Sequence, residues 1–281
     1  MLQNAAEPGL RMPFIGAGTG AYRGAGAPSC AAYPECWSEA GGCSAAIAGG
    51  VSAWLRLGGR RLDCANSYGS QRAVAAGMAA AGLPREELFV LQKTGSTLAM
   101  GYEDTLAQMA DILADMNLTR VELLLVHWPT SAAPSVEPAC NVSGAAYDAV
   151  GCRLATWRAY VELFRRGTAR AIGVSNYNAS HLQEIIDAGL PLPAVNQLPL
   201  HIYNAAAQRP LLDFCRAHGI LVVAYSPLGV PDWHAFPVPP LPARTPLADP
   251  VVLAVTAAHA PASPAQVALA WLRQRIVACR G

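Results

Sequence analysis

The sequence has no excess of either charge: 20 Lys and Arg stand against 19 Asp and Glu, a net charge of +1 over 281 residues. With no long basic or acidic run, nothing electrostatic favours nucleic acid or a membrane surface, and a small molecule is the expected partner. Apolar stretches long enough to span a bilayer are also missing, because the Ala- and Gly-rich segments at 44–59 and 73–83 are short or broken by charge. The opening MLQNAAEPGLRMP lacks a basic start followed by an apolar core. A signal peptide is therefore not expected, and a cytoplasmic location is the simplest expectation.

Zinc-like cysteine spacing is absent too. Cys30, Cys36, Cys43, Cys64, Cys140, Cys152, Cys215 and Cys279 contain no CxxC pair, so no metal site is expected. One feature points the other way. Asn141-Val142-Ser143 is a glycosylation triplet flanked by Cys140 and Cys152. A secreted, disulfide-stapled protein stands as an alternative, with a glycan on Asn141 and the two cysteines oxidised.

With 53% hydrophobic and 14% charged residues the chain has ample material for one large core, and a single domain over 1–281 is expected. Short apolar runs rich in Val, Leu and Ile predict strands at 60–64, 88–93, 121–127, 170–175, 194–198 and 220–225. Helical periodicity falls between them. It places Ile47, Val51, Trp54 and Leu55 on one face of 44–57, and Leu106, Met109, Leu113 and Met116 on one face of 103–116. A third helix covers 153–166. Ser180 with Gln183 predicts a capping box ahead of Ile185, and Ser263-Pro264 with Gln266 predicts another ahead of Trp271.

Strand and helix in alternation imply a parallel sheet with helical crossovers, either a (β/α)8 barrel or a doubly wound sheet. A doubly wound dinucleotide fold wants a glycine fingerprint between its first strand and helix. Gly16-Ala17-Gly18-Thr19-Gly20 precedes any helix and reads instead as part of an N-terminal hairpin. The expected fold is therefore an α/β (β/α)8 TIM barrel with an N-terminal hairpin.

Four ionisable residues lie at or just beyond predicted strand ends: Asp63 and Tyr68 in RRLDCANSYGS, Lys93 closing LFVLQK, and His127 closing VELLLVH. Such ends are where a parallel barrel keeps its chemistry. Each alone has an ordinary explanation, as a turn former, a surface aromatic or a solvated lysine. Their joint occurrence on successive strand ends makes a catalytic proposal.

The series MPFIGAGTG, RRLDCANSYG, LQKTG, LLLVHWP, ARAIGVSNY, AVNQ, VVAYSPLG and SPAQVALAW resembles the aldo-keto reductases over nearly the whole chain. The resemblance implies NADPH-dependent reduction of a carbonyl to an alcohol, with NADH still open, and puts the family's Asp, Tyr, Lys and His on Asp63, Tyr68, Lys93 and His127. Hydride attack leaves charge on the carbonyl oxygen, so a donor must supply a proton. Tyr68 fits if an ammonium, Lys93, lowers its pKa while Asp63 holds that lysine. His127 fits as a neutral donor.

By the same resemblance Ser175, Asn176 and Gln197 would bind the carboxamide and Tyr225 would stack on the nicotinamide, while Thr19, Ser226 and Leu228 would line the ribose and diphosphate path. Tyr22, Trp128, Trp233 and Phe236 are candidate walls for a small carbonyl substrate. In the proline-rich segment 231–250, Pro239, Pro242 and Arg244 also match a polyproline ligand pattern.

Departures from the family pattern are expected to matter. Residues 275–281 read as the seventh strand, so the barrel is expected to lack its last one or two βα units and, with them, part of the phosphate site. A catalytically impaired truncated isoform, or a non-catalytic scaffold, is the alternative. Ser70-Gln71 stands where many relatives have an amide followed by a glutamate. The insert at 130–152 has no sequence-level explanation. Oligomeric state is left open.

Overall fold

The computed structural model describes residues 2–20, 42–95, 98–131, 133–229 and 245–278. Tyr22, Trp233, Phe236 and the polyproline pattern at Pro239, Pro242 and Arg244 lie outside them. Seven strands form one sheet: β1 (Gly16–Gly18), β2 (Arg61–Asp63), β3 (Phe89–Thr94), β4 (Leu123–Val126), β5 (Ile172–Ser175), β6 (Val195–Pro199) and β7 (Leu221–Tyr225). Each pairs in parallel with the next in chain order. Helices α1 (Gly42–Arg56), α2 (Gln71–Ala81), α3 (Tyr102–Met116), α4 (Ala149–Arg165), α5 (Ala179–Asp187) and α6 (Arg209–Ala217) make the crossovers, and α7 (Pro250–Ala258) and α8 (Pro264–Ala278) follow β7. All successive strands are parallel neighbours joined by helices, the sequential arrangement of a (β/α)8 barrel, here with seven strands among the described residues.

Strands β3 to β6 are buried at every residue, which is why they read as continuous apolar runs, while the outer strands β1 and β7 are only partly buried. Outward residues such as Leu62, Val90, Leu124, Val126, Ile172 and Val174 pack with Ile47, Met109 and Trp157 of the helices. Inward residues Phe89, Leu91, Leu123, Leu125, Val195 and Val223 pack together with Leu2 and Leu10. Side chains alternate along a strand, so Lys93, two residues after Leu91, joins the inward row above this plug.

Three sequence expectations need correction. The hairpin at 12–20 does not form: Gly16–Gly18 pairs in parallel with Arg61–Asp63 and is the first strand of the sheet. A Cβ at Gly16 would stand 2.3 Å from Arg61 Nε, and one at Gly20, just beyond the strand, would stand 2.7 Å from the Tyr68 ring, whereas Gly18 has open space around it. The capping box of α5 starts at Asn178, not Ser180, because Asn178 Oδ1 accepts the His181 backbone N–H at 2.9 Å while Ser180 Oγ donates to the same oxygen. Residues 275–278 continue α8 and are not a strand; the Arg275 guanidinium lies 5.3 Å from the Trp271 ring centre, one helical turn back. The box at Ser263 and Gln266 is present as expected, with both reciprocal bonds.

The insert after β4 is tied down on several sides. Ser131 Oγ donates to the Leu98 carbonyl at 2.6 Å, Ser135 Oγ donates to Asp104, and a disulfide joins Cys140 to Cys152 in the first turn of α4. Closing a loop of 12 residues restricts the unfolded chain. Replacing both cysteines by serine is expected to cost about 3 kcal/mol, read as a lowered urea midpoint with a somewhat steeper slope as the unfolded chain expands.

Candidate active site

The site is built at the C-terminal end of the strands. Asp63 is the last residue of β2, and Lys93 is the penultimate residue of β3. The Lys93 ammonium is buried, donating to Asp63 Oδ1 and to the Cys64 carbonyl at 3.0 Å. Gln197 Nε2 donates to the other Asp63 oxygen at 2.6 Å. Both carboxylate oxygens are therefore engaged, and the lysine is held by two acceptors on one strand end.

Tyr68 rides on a 3-10 turn over Asn66–Tyr68 that ends at Gly69 in the left-handed region, φ 63°. Gln71 pins this turn from below, donating to the Ala65 carbonyl at 3.2 Å and to Asn66 Oδ1 at 3.0 Å. That gives the unusual Ser70-Gln71 pair a structural role, with Ser70 Oγ within 3.3 Å of Thr19 Oγ1. The turn carries the Tyr68 ring to 5.2 Å from Lys93 Nζ and, edge-on, to 5.5 Å from the His127 ring. Asp63, Tyr68, Lys93 and His127 thus converge, as their order in the chain implied.

His127 follows β4. Its Nδ1 lies 3.3 Å from Ser67 Oγ, a partner on the same 3-10 turn as Tyr68 that the sequence reading missed. The signal was present in ANSYG, where a hydroxyl directly precedes the tyrosine. Burial, and then the Lys93 charge, lower the His127 pKa from 6.5 to about 3, against a smaller opposing pull from Asp63. The imidazole is neutral at physiological pH.

For Lys93, burial disfavours the charge, but Asp63, Tyr68 and Cys64 together outweigh it and raise the pKa. Tyr68 departs from the sequence expectation. Burial raises its pKa, and the Lys93 charge only partly offsets that. Cys64 is buried beneath the pair with its thiol pushed up to about 12, an inert neighbour and not a nucleophile.

A second cluster adjoins the first across β5, β6 and β7. Asn176, at φ 64°, donates from Nδ2 to the His127 carbonyl at 2.9 Å and to Ser175 Oγ at 3.1 Å. Ser175 Oγ donates to the Gln197 carbonyl at 3.0 Å, and Tyr225 OH donates to Asn176 Oδ1 at 2.9 Å. Ser226 takes φ 48° immediately after β7, turning the chain toward Leu228. Thr19 donates its backbone N–H to the Asp63 carbonyl at 2.9 Å. Trp128 stands beside His127, ring centres 6.5 Å apart. Amide and hydroxyl groups beside an aromatic ring suit the carboxamide-bearing end of a nicotinamide.

Comparison with known proteins agrees with this architecture. The aldo/keto reductase family profile matches residues 45–278. Aldo-keto reductase family 1 member A1 from Mus musculus is 35% identical, the match covering 96% of this chain and 77% of that protein. The Xenopus tropicalis protein of the same name is 31% identical over 96% of this chain and 76% of its own. Among solved structures, an aldo/keto reductase from Brucella melitensis superposes with a TM-score of 0.70 at 26% identity, covering 98% of this chain and 86% of that one. A Bombyx mori aldo-keto reductase in complex with NADP gives 0.73 at 25% identity, covering 98% and 81%. The chain belongs to the aldo/keto reductase family, and so to a class of oxidoreductases.

Burial of a neutral His127 has a consequence for stability. The unfolded histidine takes up a proton near pH 6.5, while the folded one resists down to about 3. Between those values the unfolded state binds the extra proton, so this contribution is complete above the upper value and is lost as pH falls toward the lower one. His127→Gln is expected to flatten the decline in urea-unfolding free energy between about pH 7 and about pH 5.

Proposed function

We propose that this chain reduces an aldehyde or ketone to the alcohol with NADPH, Tyr68 acting as general acid. The observation that carries the reading is the buried Lys93–Asp63 pair beneath Tyr68, with a neutral His127 across the same end of the sheet. The bound nicotinamide supplies the hydride. Ser175, Asn176 and Gln197 would hold its carboxamide, Tyr225 would pack on the ring, and Thr19, Ser226 and Leu228 would line the path to the phosphates.

The chain's residues do the rest. In the tautomer whose Nδ1 accepts from Ser67, His127 would present Nε2–H to the carbonyl oxygen and fix its position. Tyr68 transfers its proton to that oxygen as negative charge develops, and Lys93 stabilises the phenolate left behind. Asp63 keeps Lys93 charged and aimed, and Trp128 walls the substrate side. Purified protein is expected to quench NADPH fluorescence and to reduce a generic aldehyde. Failure to bind NADPH at millimolar concentration would favour a non-catalytic scaffold of the same fold.

The pH profile separates the two candidate donors. His127 is neutral far below physiological pH and Tyr68 is pushed above its ordinary value. The kcat/KM for reduction is therefore expected to stay level between about pH 5 and 8 and to fall only on the alkaline side. A steep loss across the neutral range would assign the proton donor elsewhere.

A further inference from the structure

The structure leaves the Cys140–Cys152 disulfide and the Asn141 triplet outside the proposed chemistry, and the two share one loop. We propose that Asn141 carries an N-linked glycan, added in the oxidising compartment where the adjacent disulfide forms. This departs from the cytoplasmic expectation and does not depend on the reductase reading.

The disulfide is a shielded staple. Cys140 and Cys152 are 2% and 4% exposed, so neither sulfur faces small-molecule thiols in solution. Persistent structural disulfides belong to oxidising compartments, where transfer of N-glycans to Asn-X-Ser/Thr also takes place. The cross-link and the triplet are separate features of the sequence, yet both require the same surroundings.

Asn141 is suitably placed. Residues 142–146 run through turns outside any helix or strand, and Ser143, Ala145, Ala146 and Tyr147 are exposed. Asn141 is partly exposed, and its Oδ1 accepts the Ser143 backbone N–H at 3.3 Å. Among the described residues no hydrogen bond occupies its Nδ2, the atom that receives the sugar. Small residues Gly144, Ala145 and Ala146 follow, leaving room for a bulky group to project from the surface.

Two other triplets, Asn117-Leu118-Thr119 and Asn178-Ala179-Ser180, are also present. Both sit at helix ends: Asn117 caps the end of α3 and Asn178 caps the start of α5. Both are exposed, and Asn141 likewise ends a helical turn, the 3-10 segment Pro138–Cys140, with its N–H on the Pro138 carbonyl at 3.3 Å; what distinguishes Asn141 is that it alone adjoins the disulfide. Asn141 is therefore the assigned site.

The chemistry balances. Asn141 Nδ2 forms a bond to C1 of a lipid-diphosphate-linked oligosaccharide, the C1–O bond breaks, the lipid diphosphate leaves, and the amide loses one proton. The Cys140 and Cys152 thiols lose two protons and two electrons to a protein disulfide, which is reduced to a dithiol.

The test is peptide mapping of the native protein from its own cells, digested without reduction, before and after peptide N-glycosidase. The expected result is a 140-to-152 cross-linked peptide carrying a hexose-containing mass that the glycosidase removes, leaving Asp at 141. Asn141→Gln, expressed in the same cells, should lose that mass and keep the cross-link. An unmodified Asn141 overturns the proposal, whether the cysteines are found oxidised or as thiols. So does a glycan confined to Asn117 or Asn178.

Discussion

Tyr68→Phe is expected to lower kcat for aldehyde reduction by roughly three orders of magnitude while leaving NADPH affinity unchanged. The substitution removes one hydroxyl and keeps the ring, so the edge-on contact with His127 survives. What is lost is the proton donor at the point where charge develops on the carbonyl oxygen. His127 cannot replace it, because the imidazole is already neutral and its remaining N–H is a very weak acid. Steady-state kinetics with NADPH titrated in parallel by fluorescence separate the two quantities. Loss of cofactor binding together with turnover would instead indicate a structural defect.

Lys93→Met should affect both activity and stability. The partly buried Asp63 carboxylate would keep Gln197 but lose the cation that offsets its burial. Removing one member of a buried pair leaves an uncompensated charge, and Asp63 retains some solvent contact, so the expected cost is about 3 kcal/mol, at the lower end of the usual range. Asp63→Asn in the Lys93→Met background should restore much of that stability, because a neutral amide can sit there without a cation. It should restore no activity, since the phenolate of Tyr68 would still lack its ammonium. Urea unfolding of the single and double variants measures the first, and aldehyde turnover the second. A double variant as unstable as Lys93→Met would mean that Lys93 supports the fold through its Cys64 contact instead.

How much of this was legible in the sequence depended on whether side chains announced the structure. Strands β2 to β7 showed themselves as apolar runs, most clearly β3 to β6, where both faces of the parallel sheet are buried. β1 did not, since Gly16-Ala17-Gly18 offers a single methyl group to show a pattern; where its Gly16 pairs with Arg61, the Arg61 side chain stands where a Cβ would be. The α5 cap was displaced because Asn178 and Ser180 are both good cap residues, and only the geometry shows which oxygen meets the His181 N–H. The Arg275-Ile276-Val277 stretch fell where the order of a complete barrel puts the next strand, yet the helix begun at Ser263 carries through it.

The same holds at the candidate site. Asp63, Tyr68, Lys93 and His127 were legible because polar residues after apolar runs stand out. Ser67 and Gln71 were not, because a hydroxyl and an amide in a turn have ordinary uses everywhere; their meaning comes from the 3-10 turn that lays Ser67 against His127 and lets Gln71 brace Asn66. The direction of the Tyr68 shift was also hidden. The sequence supplies the neighbouring cation, but only the packing shows that burial outweighs it.

The most direct test of the proposed chemistry is a single-turnover reaction of the protein with NADPH and an aldehyde, following reduced cofactor and alcohol together in wild type and Tyr68→Phe. The expected result is alcohol formed in step with NADPH consumed by the wild type, and neither change in Tyr68→Phe despite bound cofactor. A wild-type protein that binds NADPH and forms no alcohol, or a Tyr68→Phe variant that turns over at the wild-type rate, would contradict it.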